Sequence, residues 1–200
     1  MGQMTAEPLR VAFRRQVRER ALDHARTLAG EHGWEQVRMG EVALAVGVSR
    51  PTLYKEFGDK QGLGEALVRS ETDRFLVGVS AALDASTDVG EGIDAAVAYA
   101  LTEAARSPLL HAVLTSTRGD DAGLLALLTT RSAPLLEAAS GVLVAWLRLR
   151  LPGHDPRDVE ECADVVVRLV VSHLVQSAAP PAQTAARLAR AGTRVLRLPG

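Results

Sequence analysis

The stretch Glu41 to Leu63, EVALAVGVSRPTLYKEFGDKQGL, constrains the fold more than any other part of the chain. Val42, Ala43 and Val46 recur at helical spacing before Gly47, and Val48, Leu53 and Phe57 do so after it. Two short pieces therefore each present a small apolar face to one core. Gly47 suits the break, because a helix ending there needs a left-handed residue and glycine adopts that backbone without a Cβ clash. Ser49 suits an N-cap, and Pro51 falls in the first turn, where its missing N–H breaks no intrahelical bond. What remains outward on the second piece is Arg50, Thr52, Tyr54 and Lys55, a set of donors with no carboxylate before Glu56. A helix laid in a DNA major groove requires such donors for phosphates and base edges. Two short surface helices with solvated polar faces would show a similar pattern, so spacing alone leaves both readings open.

The run VGVSRPTLYKEFGDKQGL, preceded by a helix around Ala21 to Leu28 and by His32, Gly33 and Trp34, resembles the N-terminal DNA-binding domain of TetR-family transcriptional regulators. The family pattern is a Gly-Val-Ser turn, a Thr-Leu-Tyr step, an aromatic three residues on and a following Lys. Gly47, Val48, Ser49, Thr52, Leu53, Tyr54, Phe57 and Lys60 match it, over roughly the first third of the chain. The resemblance implies an all-α fold: an N-terminal three-helix helix-turn-helix DNA-binding domain, then a larger helical regulatory and dimerisation domain. In residue terms this gives a mobile arm at 1–8, the DNA-binding domain at 9–58 and a ligand-binding and dimerisation domain at 59–200, with 59–85 as the connecting helix. It also implies a set of DNA contacts: Arg38, Ser49, Arg50, Pro51, Thr52, Tyr54, Lys55 and Lys60. Tyr54 and Lys60 are expected on phosphates, Thr52 on a phosphate or base edge, and Arg50 and Lys55 on base edges. The pattern lapses at Val37 to Gly40. The family commonly has Thr where Arg38 stands, capping the next helix and touching a phosphate; Arg38 cannot cap in that way, though it reaches a phosphate. Gly40 also departs.

Composition refines this picture. Aromatics are scarce at 4%, hydrophobic residues make up 47%, and Ala, Leu, Val and Arg dominate, which favours helices packed through aliphatic side chains. Net charge is only −1, so no global field draws the protein to nucleic acid. The basic excess is local and weak: residues 1–60 hold ten Lys/Arg against eight Asp/Glu. Both lysines of the chain, Lys55 and Lys60, lie inside the opening motif. Cys162 is the lone cysteine, so no intramolecular disulfide forms, and Cys/His clusters of metal-ligand spacing are absent. No metal and no cofactor are expected beyond a small-molecule effector of unknown identity. With neither a signal peptide nor a membrane span legible, the expectation is a cytoplasmic protein.

Along the chain, Val17, Ala21, Ala25, Leu28 and Ala29 mark one face of a first helix from Leu9 to Glu31. Arg14, Arg15, Arg18 and Arg20 crowd its first half, either as a solvated face balanced by Glu19 and Asp23 or as flanking phosphate contacts. Gly33 ends this helix and Trp34 plugs the three-helix core. Asp59 suits the cap of the next helix, and Gly62 and Gly64 in its first turns are expected to make it pliable. Further helical patterns run over 93–106, 108–117, 123–151, 156–177 and 182–198, broken at Ser107-Pro108, Gly119 to Asp121, Pro152-Gly153 and Pro180-Pro181.

The last two helices carry broad apolar stripes. Val159, Cys162, Val166, Val170, Leu174, Leu188 and Val195 are assigned to a homodimer interface, because the family pairs through its last two long helices; the alternative is a helix central to its own domain. Dimerisation would set two recognition helices about one DNA turn or its multiples apart, hence a palindromic double-stranded operator. Candidate effector contacts are Tyr99, Glu103, Arg106, His111, Thr115 and Trp146, polar or aromatic groups among many Leu, Val and Ala. Each also has an ordinary structural role available. Catalysis is not expected: Glu103 and His111 have arbitrary spacing, and no nucleophile or metal set accompanies them. The expected function is a DNA-binding repressor released by a ligand. A helical adaptor without operator binding, or a helical enzyme, are the rival readings.

Overall fold

The computed structural model describes residues 9–107, 132–175 and 179–198. Among them are eight α-helices and no strand, as the aliphatic, aromatic-poor composition leads one to expect. In chain order these are α1 (Leu9–His32), a 3₁₀ turn (Trp34–Gln36), α2 (Met39–Val46), α3 (Arg50–Phe57), α4 (Lys60–Asp84), α5 (Val89–Arg106), α6 (Ser132–Arg150), α7 (Pro156–Val175) and α8 (Pro181–Val195). The chain divides into two compact units, with the division falling inside α4 between Ser70 and Glu71. The proposed arm at 1–8, the helical pattern at 108–117 and the first part of that at 123–151 lie outside the described residues.

The N-terminal unit is closed by short-range signals that a few residues suffice to set. Gly47 caps α2 in the left-handed conformation, φ 75°, and returns its N–H to the helix. The Ser49 hydroxyl accepts from Thr52 N at 3.3 Å to cap α3, with Pro51 in the first turn. Asp59 Oδ1 accepts from Gly62 N at 2.8 Å to cap α4. Val17, Ala21 and Ala25 of α1, Val42 and Val46 of α2, and Leu53 and Phe57 of α3 are buried together with Trp34 in this unit. Gly62 has a reason other than pliability. A Cβ at this position would run into the carbonyl oxygen of Phe57, so the close passage of α4 against the end of α3 requires glycine there.

The C-terminal unit has its own core, in which α5 packs on α8 and α7, and α7 packs on α6 and α8. Asp88 caps α5 by accepting from Glu91 N at 2.9 Å, while the Glu91 carboxylate accepts from the Ser86 hydroxyl at 2.8 Å, bracing the turn from both sides. Two glycines admit close approach. A Cβ at Gly92 would sit 2.6 Å from Trp146 Cη2, and one at Gly192 would sit 2.9 Å from Val166 Cγ2.

That arrangement decides where the α7 stripe points. Val159, Cys162, Val166 and Leu188 are buried in the subunit's own core beside Ile93 and Leu147, and Val170, Leu174 and Val195 pack half-buried against it. The sequence pattern assigns these residues to a partner subunit, but α5, α6 and α8 already cover the apolar side of the first half of α7. The four buried side chains have no surface left to offer. Val167 and Val171, farther along α7, are half-buried and outside that core.

Candidate nucleic-acid interface

Residues 50–55 owe their presentation to the turn between α2 and α3, set by the Gly47 and Ser49 caps. With Leu53 and Phe57 turned inward, Arg50, Pro51, Thr52, Tyr54 and Lys55 are left exposed, Tyr54 at 48% despite its aromatic ring. Ser49, also exposed, bonds the Thr52 hydroxyl at 2.8 Å as well as the Thr52 N–H, so the cap residue orders the side chain beside it. Arg38 is the N-cap residue of α2 and supplies no side-chain bond to that helix, in keeping with the lapse at Val37 to Gly40. Its side chain is exposed.

Lys60 is less free than its neighbours. Its ammonium donates to the Glu35 carbonyl at 3.0 Å and lies 5.5 Å from the Trp34 ring centroid, tying the start of α4 to the 3₁₀ turn. A phosphate reached by Lys60 must compete with these contacts or add to them.

The arginines of α1 divide by tertiary structure. Arg14 donates twice to Glu56 Oε2, from Nε at 3.1 Å and Nη2 at 3.0 Å, and Arg18 donates to Glu56 Oε1 at 3.2 Å while stacking 5.1 Å from the Phe57 ring centroid. Both carboxylate oxygens are therefore occupied by cations from α1, and the Glu56 side chain is only 12% exposed. The effect is to remove the one negative charge of α3 from its donor face. Sequence reasoning missed this pairing, although the signal was visible: a crowd of arginines on one helix and a single carboxylate on another. Arg14, Thr52, Lys55 and Glu56 line one open groove with the apolar Leu9 and Phe13.

In the C-terminal unit the candidate effector contacts go to different neighbours. The Tyr99 ring lies 6.1 Å from that of Phe75, and its hydroxyl fills the space left by Gly78 of α4. Burial first, and then the negative charge of Glu103, push the Tyr99 phenol above its ordinary range. Trp146 belongs to the core, packed over Gly92. Its face carries the Arg150 guanidinium at 5.1 Å, itself held by the Ser86 carbonyl at 3.0 Å. Trp146 Nε1 and Asp94 Oδ1 are buried polar atoms without a hydrogen-bond partner among the described residues. Arg106 is exposed near the end of α5, Glu103 is half-buried, and His111 and Thr115 lie outside the described residues. No helix among the described residues is long and apolar enough to cross a membrane.

Comparison with known proteins agrees with this geometry. Residues 21–67 match the family model for bacterial regulatory proteins of the tetR family, and residues 88–194 match that for the bacterial tetracyclin repressor C-terminal domain. The HTH-type transcriptional regulator AlkX of Mycobacterium tuberculosis is 33% identical over 186 residues, covering 92% of this chain and 86% of the relative. The HTH-type transcriptional repressor ComR of Escherichia coli is 41% identical over 58 residues, 29% of this chain and 28% of its own. Among solved structures, the TetR-family repressor AlkX from Dietzia sp. strain DQ12-45-1b, implicated in biodegradation of n-alkanes, superposes with a TM-score of 0.70 at 28% identity, covering 88% of this chain and 96% of that one. A capped helix-turn-helix with an unobstructed donor face, a helical C-terminal unit and two matching family models together make this chain a DNA-binding transcriptional regulator of the TetR family.

Proposed function

We propose that the protein is a homodimeric repressor that occupies a roughly palindromic operator until a small-molecule effector selects a state unable to hold it. The observation that carries this reading is the outer face of α3, where Arg50, Thr52, Tyr54 and Lys55 stand exposed while Glu56 is neutralised from α1. Residues 9–58 form the DNA-binding domain in this reading and 59–200 the effector and dimerisation domain. The subunits meet through the second half of α7, around Val167 and Val171, because the apolar side of its first half is already buried in the subunit's own core and these two residues are not. The protein works in the cytoplasm, needs no cofactor and catalyses no reaction.

The effector shifts the equilibrium only by its differential affinity for the two states, about 1–3 kcal/mol of coupling in typical cases. The link of the Dietzia relative to n-alkane biodegradation, with the largely aliphatic core of the C-terminal unit, favours an alkyl-chain compound. Selection of bound sites from random DNA tests the reading directly, with sizing of the free and bound protein. A palindrome bound by two subunits, and released by alkanes or by their alcohols or acids, is the expected result. Failure to enrich any sequence would refute operator binding, and enrichment of a single half-site by a monomer would refute the dimer.

A further inference from the structure

The two positions at which the motif departs from its family, Arg38 and Gly40, lie in the turn that the first residue of α3 reaches back to touch. A Cβ at Gly40 would stand 2.5 Å from Arg50 Nη2, 2.6 Å from Nε and 2.7 Å from Cζ. These separations are all inside the 3.0 Å below which real Cβ contacts essentially do not occur. The guanidinium of Arg50 therefore occupies the space that a side chain at residue 40 would need, and a residue with a Cβ there would displace it.

Electrostatics do not explain that position. Arg50 has no carboxylate or hydrogen-bond partner among the described residues, and the first turn of a helix is the positive end of its dipole, which repels a cation. Arg38, the N-cap residue, offers no side-chain acceptor to that turn. The missing methyl group leaves room for the guanidinium there, and its charge remains available to an outside anion.

We propose that Gly40 is a positioning residue for DNA recognition, acting through Arg50: glycine at 40 admits the guanidinium over the start of α2, where any Cβ would exclude it, and this placement determines what Arg50 meets on the operator. The inference rests on the reading of Arg50 as a DNA contact and adds a residue that touches no DNA itself. Gly40→Ala is a clean perturbation. The obstructed group is the end of a flexible side chain, so the guanidinium moves and the helices stay, and alanine is the better helix former.

The test is a double-mutant cycle on the full-length protein, with a site selected by the wild type and random DNA of equal length as probes. Thermal unfolding of each variant checks the fold. Arg50→Ala is expected to lose between about fivefold and about a hundredfold on the selected site, the range for a lost arginine contact. Gly40→Ala should lose at least about threefold there, and should have no further effect once Arg50 is alanine. A loss from Arg50→Ala with none from Gly40→Ala overturns the proposal alone. No loss from Arg50→Ala overturns it together with the reading beneath it. An equal loss from Gly40→Ala in both backgrounds also overturns it, since the effect would then not pass through Arg50.

Discussion

Replacing Gly62 by alanine separates two opposite expectations for the start of α4. Helix propensity alone favours the change, since alanine in a helix is better than glycine by at most about 1 kcal/mol. The structure reverses the sign. A Cβ at Gly62 meets the Phe57 carbonyl oxygen, and this is backbone at the end of a helix whose terminal side chain is buried, so it cannot swing aside as a flexible group would. Forcing extra volume into such a contact costs about 1–3 kcal/mol. The same shift strains the Asp59 cap, whose 2.8 Å bond is made to the N–H of Gly62 itself and whose loss costs about 1 kcal/mol. Set against the propensity gain, the net is a destabilisation of about 2 kcal/mol, equivalent to roughly 4–8 °C in melting temperature for a chain of this size. Urea unfolding and calorimetry read the effect. Gly30→Ala in α1 is the control, because a Cβ there meets nothing within 4 Å, and it should leave stability unchanged or raise it. Gly62→Ala melting at or above the wild type would refute the steric argument and restore glycine as a source of pliability.

Other perturbations probe the interface and the core. Lys60→Ala should weaken binding to all DNA sequences and reduce the salt slope by about 1, and should also lower stability by releasing the Glu35 carbonyl and the Trp34 face; unchanged stability would show that these two ammonium contacts contribute nothing to the fold. Glu56→Gln removes the negative charge shared by Arg14 and Arg18 beside Thr52 and Lys55. Affinity for random DNA should rise at low salt while stability falls by about 1 kcal/mol, discounted because Arg14 is largely exposed; unchanged or weaker random binding would show that these arginines lie away from the phosphates. Burial pushes the Cys162 thiol up to about 11. The native chain should therefore resist alkylation at pH 8, where an unfolded thiol reacts, and stability should fall as pH rises from about 9 toward 11, because only the unfolded state then releases the proton. Rapid native labelling at pH 8 would contradict this burial.

The parts of this protein that a linear reading reaches are those governed by neighbours a few residues apart. The Gly47 turn, the Ser49 and Asp59 caps, the inward Leu53 and Phe57 and the absence of a cap at Arg38 all follow from contacts within one helical turn, where the chain itself holds the partners together. The all-α class and the donor face of α3 follow in the same way. Packing between helices decided the rest. Arg14 and Arg18 find Glu56 across about forty residues of chain, Arg50 rests on Gly40, and Trp146 fills the slot at Gly92. The stripe from Val159 to Val166 illustrates the limit most clearly. Apolar spacing requires that such a face be buried, but the hydrophobic effect is non-directional and is satisfied equally by a partner subunit or by neighbouring helices of the same chain. Only the placement of α5, α6 and α8 around α7 shows that this subunit buries the stripe itself, because which surface covers an apolar face depends on the docking of helices and not on the order of residues within one.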